Sequence, residues 1–331
     1  MKQERPSTVN RVGGFKVEKN RYKKRISGPV VAVSIIIGVI VFVNIWGTVI
    51  SGLVGAEIKM PREGDVIDTI YVQGTIAEGE MDYNHAWTIN HINELMYDEQ
   101  NKGIFLYVNS PGGGIYESDE LYLKLKEYKE VTQRPVYAYM AQTAASGGLY
   151  VCMAADKIYA NRMTMTGSIG VIMSMTDTTG LQELLGVKTE NIVSGKNKAM
   201  GNPLTDEQRQ ILQTMIDESY NIFVDVVAEN RNLTQEKVKE LADGRIYSAL
   251  QAKDLKLIDE VGTVEEAMQA MMSDNQLEYC GWYSEEPPTV GLLDMLFGAK
   301  MEGKELLSQF SEIQKYIEVN KTPRLMYYYG N

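Results

Sequence analysis

The chain has 331 residues, enough for one or two ordinary cores, with 44% hydrophobic residues and a formal net charge of −11. That charge is divided: residues 1–28 hold nine Lys or Arg against Glu4 and Glu18, a net of +7, which leaves −18 on the remainder. A basic head on an acidic body excludes a nucleic-acid binder and implies two environments, and two cysteines, Cys152 and Cys280, exclude a disulfide framework.

No charged residue occurs between Arg25 and Glu57, and Val30 to Ile50 is dominated by Val, Ile, Ala, Phe and Trp. About 20 apolar residues suffice for a helix to cross a bilayer. The run is longer than the roughly 7–15 apolar residues of a cleaved signal peptide. The expectation is a single-pass anchor over residues 29–55 in the cell membrane. The basic tail 1–28 would stay in the cytoplasm, and everything after the anchor would lie outside. Residues 56–65 read as a linker, 66–286 as the soluble domain and 287–331 as a separate, partly amphipathic tail.

Within the domain, Val66–Ile76 reads as a strand and His85–Glu99 as a helix with Ile89, Ile92, Leu95 and Met96 on one face. Ile104–Val108 is a second strand, ending in Asn109-Ser110-Pro111-Gly112-Gly113-Gly114. A periodic helix over Ser118–Thr132 leads to a strand at Val136–Ala141. Thr143–Ala145 reads as a tight bend, and Ser146-Gly147-Gly148 opens an apolar helix that runs to Ala155. Lys157–Ala160 is a short strand, followed by Thr164–Met173, in which Gly167 and Gly170 flank Ser168 and Ile169. Leu181–Leu185 is a short helix. Val187–Val193 is a strand running into Ser194-Gly195-Lys196-Asn197-Lys198, and Asp206–Asn230 is the longest soluble helix. Alternating strands and helices predict right-handed crossovers and a largely parallel α/β sheet. Sites in such sheets form at the carboxyl ends of the strands, where both glycine turns fall.

A serine on a strand-to-helix turn suits a nucleophile, because the same turn offers free N–H groups to an oxyanion. It equally suits a helix N-cap followed by two packing glycines. Gly112–Gly114 lets the backbone approach a ligand closely; with no Gly-Lys-Ser/Thr following, a phosphate loop is disfavoured. A serine hydrolase needs a base. His85 and His91 share one early helix but not one face, and packing or surface roles suit them. The other route is a lysine kept neutral by burial, and Lys196 and Lys198 both follow a glycine turn. The residues by themselves leave that choice open.

Taken together, Asn109–Gly114, Ala145–Tyr150, Thr166-Gly167-Ser168-Ile169-Gly170-Val171 and Gly195-x-x-Lys198 resemble the signal peptide peptidase A (SppA) family. Gly244-Arg245-Ile246-Tyr247 and the segment 252–262 are similar to the same family's closing signature. One departure is Lys256, where the family commonly has Gly. The resemblance spans roughly Val66 to Met272. It implies a ClpP/crotonase-like fold and a membrane-anchored serine protease that clears remnant signal peptides without a cofactor or metal. It makes Ser146 the nucleophile and Lys198 the general base, with Lys196 passed over by the Gly-x-x-Lys spacing. Ser168 would orient the lysine amine, and the N–H groups of Gly113 and Gly147 would form the oxyanion hole.

Longer family members carry two copies of this domain and resemble enzymes that take serine from one copy and lysine from the other. A single-copy chain is then expected to form a closed homo-oligomer, plausibly of eight, with dyads shared between protomers. Two rivals from other classes are a crotonase-like acyl-transfer enzyme on the same fold and a non-enzymatic membrane scaffold. The tail is expected to pack as a closing helix and strand, or to send its final apolar stretch (Pro323-Arg324-Leu325-Met326-Tyr327-Tyr328-Tyr329) into an active site to be trimmed there.

Overall fold

A computed structural model describes residues 64–80, 82–201, 203–285 and 287, and the backbone of 326–328. The anchor expected at 29–55 and most of the tail lie outside these residues. Among the described residues, no helix is long and apolar enough to cross a membrane.

Strand β1 (Val66–Ile76) is dense in β-branched residues, as a strand buried in a parallel sheet requires. Helix α1 (His85–Tyr97) is opened by Asn84, whose side chain accepts from the Trp87 N–H at 3.0 Å. Strand β2 (Asn101–Gly114) outruns its apolar core, because the glycine stretch remains in the ladder, opposite Thr75 and Ile76. Helix α2 (Ile115–Thr132), strand β3 (Val136–Ala145) and the short helix α3 (Gly147–Cys152) complete the part that carries both glycine turns. Thr143–Ala145, expected as a bend, instead extend β3 and pair in parallel with β5 (Met165–Gly167), while the first half of β3 pairs with β4 (Lys157–Ala160).

There follow α4 (Thr179–Leu184), the long α5 (Asp206–Arg231), α6 (Gln235–Leu241), β6 (Ile246–Ser248) and α7 (Ala249–Asp254). Strand β7 (Glu260–Val261), α8 (Val264–Asn275) and β8 (Gly281–Tyr283) close the run, and Met326–Tyr328 form β9. Lys256 follows α7 in the left-handed region (φ 62°), the conformation for which glycine is the easy choice. Val187–Val193 is no strand: it has no neighbour to pair with among the described residues, and its side chains are exposed. High β-propensity without a sheet edge to pack on does not make a strand.

The described strands form one sheet with the path β6-β5-β3-β2-β1-β8, parallel except at β5–β6 and β2–β9. One face packs Ile70, Val72, Leu106, Val108 and Met140 against the apolar sides of α1, α2 and α3, with Phe223 of α5 behind them. The opposite face packs Ile67, Phe105 and Tyr137 against Ala267 and Met271 of α8. Farther along that second face, Tyr71, Tyr107, Tyr139 and Tyr159 stand in one register row across β1, β2, β3 and β4. The rings of the first three lie 5.4 and 5.8 Å apart.

At the amino ends of the strands, a polar cluster is buried outright. Asn101 donates to Asp68 Oδ2 at 2.8 Å and to the Gly103 carbonyl at 3.0 Å. Its own carbonyl oxygen accepts from the Tyr128 hydroxyl and, at 3.1 Å, from Arg134 Nη1.

Candidate active site

The carboxyl end of β3 delivers the chain into α3 through Ser146, whose backbone adopts φ 54° and ψ −116°. A non-glycine residue rarely holds such angles, and the strain is of order 1–3 kcal/mol. Two anchors fix it: the Ser146 N–H donates to the Gly167 carbonyl at 2.8 Å, and its carbonyl accepts from the Tyr150 N–H at 2.9 Å. The side chain does not cap the helix. Ser146 is 1% exposed, and its Oγ has no hydrogen-bond partner among the described residues. A serine on a strained turn whose hydroxyl bonds to nothing among the described residues is not serving as a helix cap.

Gly113 lies at the end of the neighbouring strand, pressed onto the β1 backbone. A Cβ there would come within 2.0 Å of the Ile76 carbonyl oxygen. Only glycine fits this approach. Beyond the last pairing of β2 with β3, residues Gly112–Gly114 pair antiparallel with Tyr328–Met326 of β9. That tail strand also lies against α2 and α3. The edge beside Ser146 therefore accepts an extended backbone by main-chain pairing.

Ser168, at the other side of the Gly167 anchor, also has positive φ (50°) and is 8% exposed. Its N–H donates to the Arg245 carbonyl at 2.8 Å, a tie the sequence reading missed. The signal was present in Gly244-Arg245-Ile246-Tyr247, whose second half forms β6 against β5. Ser168 borders a cleft of about 390 Å³ shared with Gly170, Val171, Tyr220 and Asp243. Hydrogen bonds from the Arg245 guanidinium, one of them at 2.7 Å, hold the Asp243 carboxyl down to about 2, so this rim carries a paired carboxylate and guanidinium.

The two lysines part company. Lys196 pairs with Glu207 at 2.7 Å. Lys198 is exposed, and its N–H donates to the Gly195 carbonyl at 3.0 Å, closing the glycine turn. Both lie on the run between β5 and α5, where α4 buries no residue and Leu184 and Ile192 are 83% and 99% exposed. The histidines are engaged in packing. His85 is buried, with Nδ1 3.0 Å from the Tyr83 hydroxyl and Nε2 2.7 Å from Glu120 Oε2, which leaves neither nitrogen for a serine proton. His91 is buried and stacked on Trp87 at 4.7 Å. Cys152 is buried in the core, and its thiol is pushed far up by desolvation, so it is inert.

Residues 129–278 match peptidase family S49. Over 274 residues the chain is 37% identical to a protein of Enterococcus faecium assigned by name to signal peptide peptidase SppA, covering 78% of this chain and 79% of that one. It is 31% identical to protease 4 of Haemophilus influenzae over 61% of this chain and 34% of that longer protein. A chloroplastic serine protease SPPA of Arabidopsis thaliana is 33% identical over 54% of this chain and 27% of its own length.

Proposed function

The chain belongs to the SppA group of peptidase family S49, and on that premise we propose that it is a membrane-anchored serine endopeptidase working through a Ser146–Lys198 dyad on remnant signal peptides and other extended apolar peptides. The observation that carries this reading is the unpartnered Ser146 Oγ on a strained turn, beside a glycine edge that already takes an antiparallel strand. In the proposed reaction the Lys198 amine takes the hydroxyl proton as Oγ bonds to the peptide carbonyl carbon. The N–H groups of Gly113 and Gly147 hold the oxyanion that forms. The C–N bond then breaks, and the ammonium returns its proton to the leaving amine. Water attacks the ester, giving one proton to Lys198, which passes it back to Ser146 as the acid departs. Ser168 orients the amine.

The lysine that serves a given serine belongs, in this reading, to a neighbouring protomer of a closed ring of eight. Its support is the exposure of Lys198 on a run whose apolar side chains (Ile172, Leu181, Leu184, Leu185, Val187 and Ile192) face solvent in the single chain. Large apolar side chains exposed in such number along one segment are a mark of a surface that a partner covers. Hydrolysis of an apolar peptide in detergent tests both parts. Ser146→Ala and Lys198→Ala each lose at least about 10⁴-fold in kcat, and Lys196→Ala stays near wild type. Mixed oligomers of the two inactive variants regain part of the activity. Retained hydrolysis in Ser146→Ala would overturn the nucleophile, and no recovery in oligomers shown to be mixed would overturn the sharing.

The end of the chain is proposed to be trimmed in the same groove, since residues 326–328 take up the edge that a substrate would use. Intact-mass measurement after prolonged incubation should show loss of C-terminal residues in wild type and none in Ser146→Ala. Equal masses would refute trimming.

A further inference from the structure

Gly114 is closely covered by a side chain of the helix it opens. Its backbone angles, φ −61° and ψ 138°, suit any residue. The Glu117 carboxylate folds back over it: a Cβ on Gly114 would sit 2.0 Å from Glu117 Oε2, so a side chain there would displace the carboxylate. Glu117 is half-buried in the first turn of α2, and its other oxygen, Oε1, accepts from the Glu78 N–H at 3.3 Å. Glu78 lies two residues beyond Ile76, the residue onto which Gly113 is pressed. The carboxylate thus touches the glycine strand, the helix that follows it and the turn that leaves β1. As the third residue of α2, Glu117 reaches back over the N-cap residue Gly114, as acids at this position do; what capping does not require is that its other oxygen extends to the turn leaving β1.

We infer that Glu117 is a positioning residue: its carboxylate clamps the Ile76–Glu78 turn onto Gly112–Gly114 and so fixes where the Gly113 N–H points. The inference rests on the proposed role of Gly113 as an oxyanion donor. Donors must hold their place to about 0.5 Å to be effective, and the β1–β2 register already shifts between Gln73 and Thr75, just before this contact. An acceptor from outside the ladder is what the strand end needs there. Neither β1 nor β2 carries another side chain bonded to the Glu78 N–H among the described residues.

The test combines kinetics with amide exchange in the full chain. Glu117→Ala is expected to lower kcat on a peptide substrate about tenfold or more with KM within about threefold, since the lost effect is on the transition state. Glu117→Gln, which retains an acceptor, should recover to within about threefold of wild type by the same logic. Gly114→Ala should be damaging alone but add little in the Glu117→Ala background, because the two substitutions disturb one contact. Amides of 76–78 and 112–114 should exchange faster in Glu117→Ala than in wild type. Unchanged kcat in Glu117→Ala, a loss carried by KM alone, or equal damage from Gln and Ala would overturn the inference. Unchanged exchange would overturn it whatever the kinetics, whereas failure of the dyad would show separately as hydrolysis surviving in Ser146→Ala.

Discussion

Asn101 and Ser146 are both buried polar residues at the ends of neighbouring strands, and their surroundings are opposite. Asn101, at the amino end, uses both amide hydrogens and both carbonyl lone pairs, on Asp68, Gly103, Tyr128 and Arg134. Ser146, at the carboxyl end, sits in a strained backbone with an Oγ bonded to nothing among the described residues. A buried polar group is either satisfied, and then it specifies the fold, or unsatisfied, and then it costs stability that something else must justify. The sheet keeps the two uses at opposite ends, so the chemistry can be strained without loosening the frame.

Three substitutions probe that division. The largest effect is expected from Gly113→Ala, which drives a methyl group into the Ile76 carbonyl. Overpacking should cost about 1–3 kcal/mol in stability, and displacement of the proposed oxyanion donor should lower kcat by about 10²–10³. Denaturation curves alongside initial rates would show both. Full activity in a folded Gly113→Ala protein would remove this strand from the site.

Asn101→Ala should act on stability alone. It leaves Asp68, Tyr128 and Arg134 short of partners, for a loss of about 3 kcal/mol. The residual folded enzyme should turn over at the wild-type rate. A change in kcat per folded molecule would mean that the two ends of the sheet are coupled. The smallest effect is expected between two inactive proteins. Ser146→Gly relieves the positive φ that Ser146→Ala retains, so it should be the more stable of the pair by about 1 kcal/mol, after the greater freedom of unfolded glycine is counted. Equal melting temperatures would say that the turn is not strained.

The sequence made the two glycine turns readable because backbone geometry of this kind admits few residue types. Gly113 could be no other residue, and a serine between a strand and a helix limits the options further. The parallel sheet was readable for a similar reason, since Ile104–Val108 and Val136–Ala141 are apolar on both faces. The segment holding Lys198 was not. Val187–Val193 has the composition of a strand, yet β-propensity reports packing against a neighbour, and the single chain offers none. The pairing of His85 was less legible, because Glu120, which holds its Nε2, lies beyond β2 in the chain and meets it only once the helices dock. Lys256 shows the reverse case: an irregular position can be spotted from the residue that usually fills it, and the lysine here tolerates φ 62° in its place.

The row formed by Tyr71, Tyr107, Tyr139 and Tyr159 bears on accuracy at a distance. Parallel strands apolar on both faces need side chains that distinguish one register from the next. A slip of one residue in any of these four would swing its tyrosine onto the side already packed by α1, α2 and α3, in place of a smaller residue. Each residue of slip moves a strand end by about 3.3 Å, several times the tolerance of a reacting serine and its oxyanion donor. The four rings therefore index the sheet, and the alignment of Gly113 with Ser146 is inherited from aromatic side chains that touch neither.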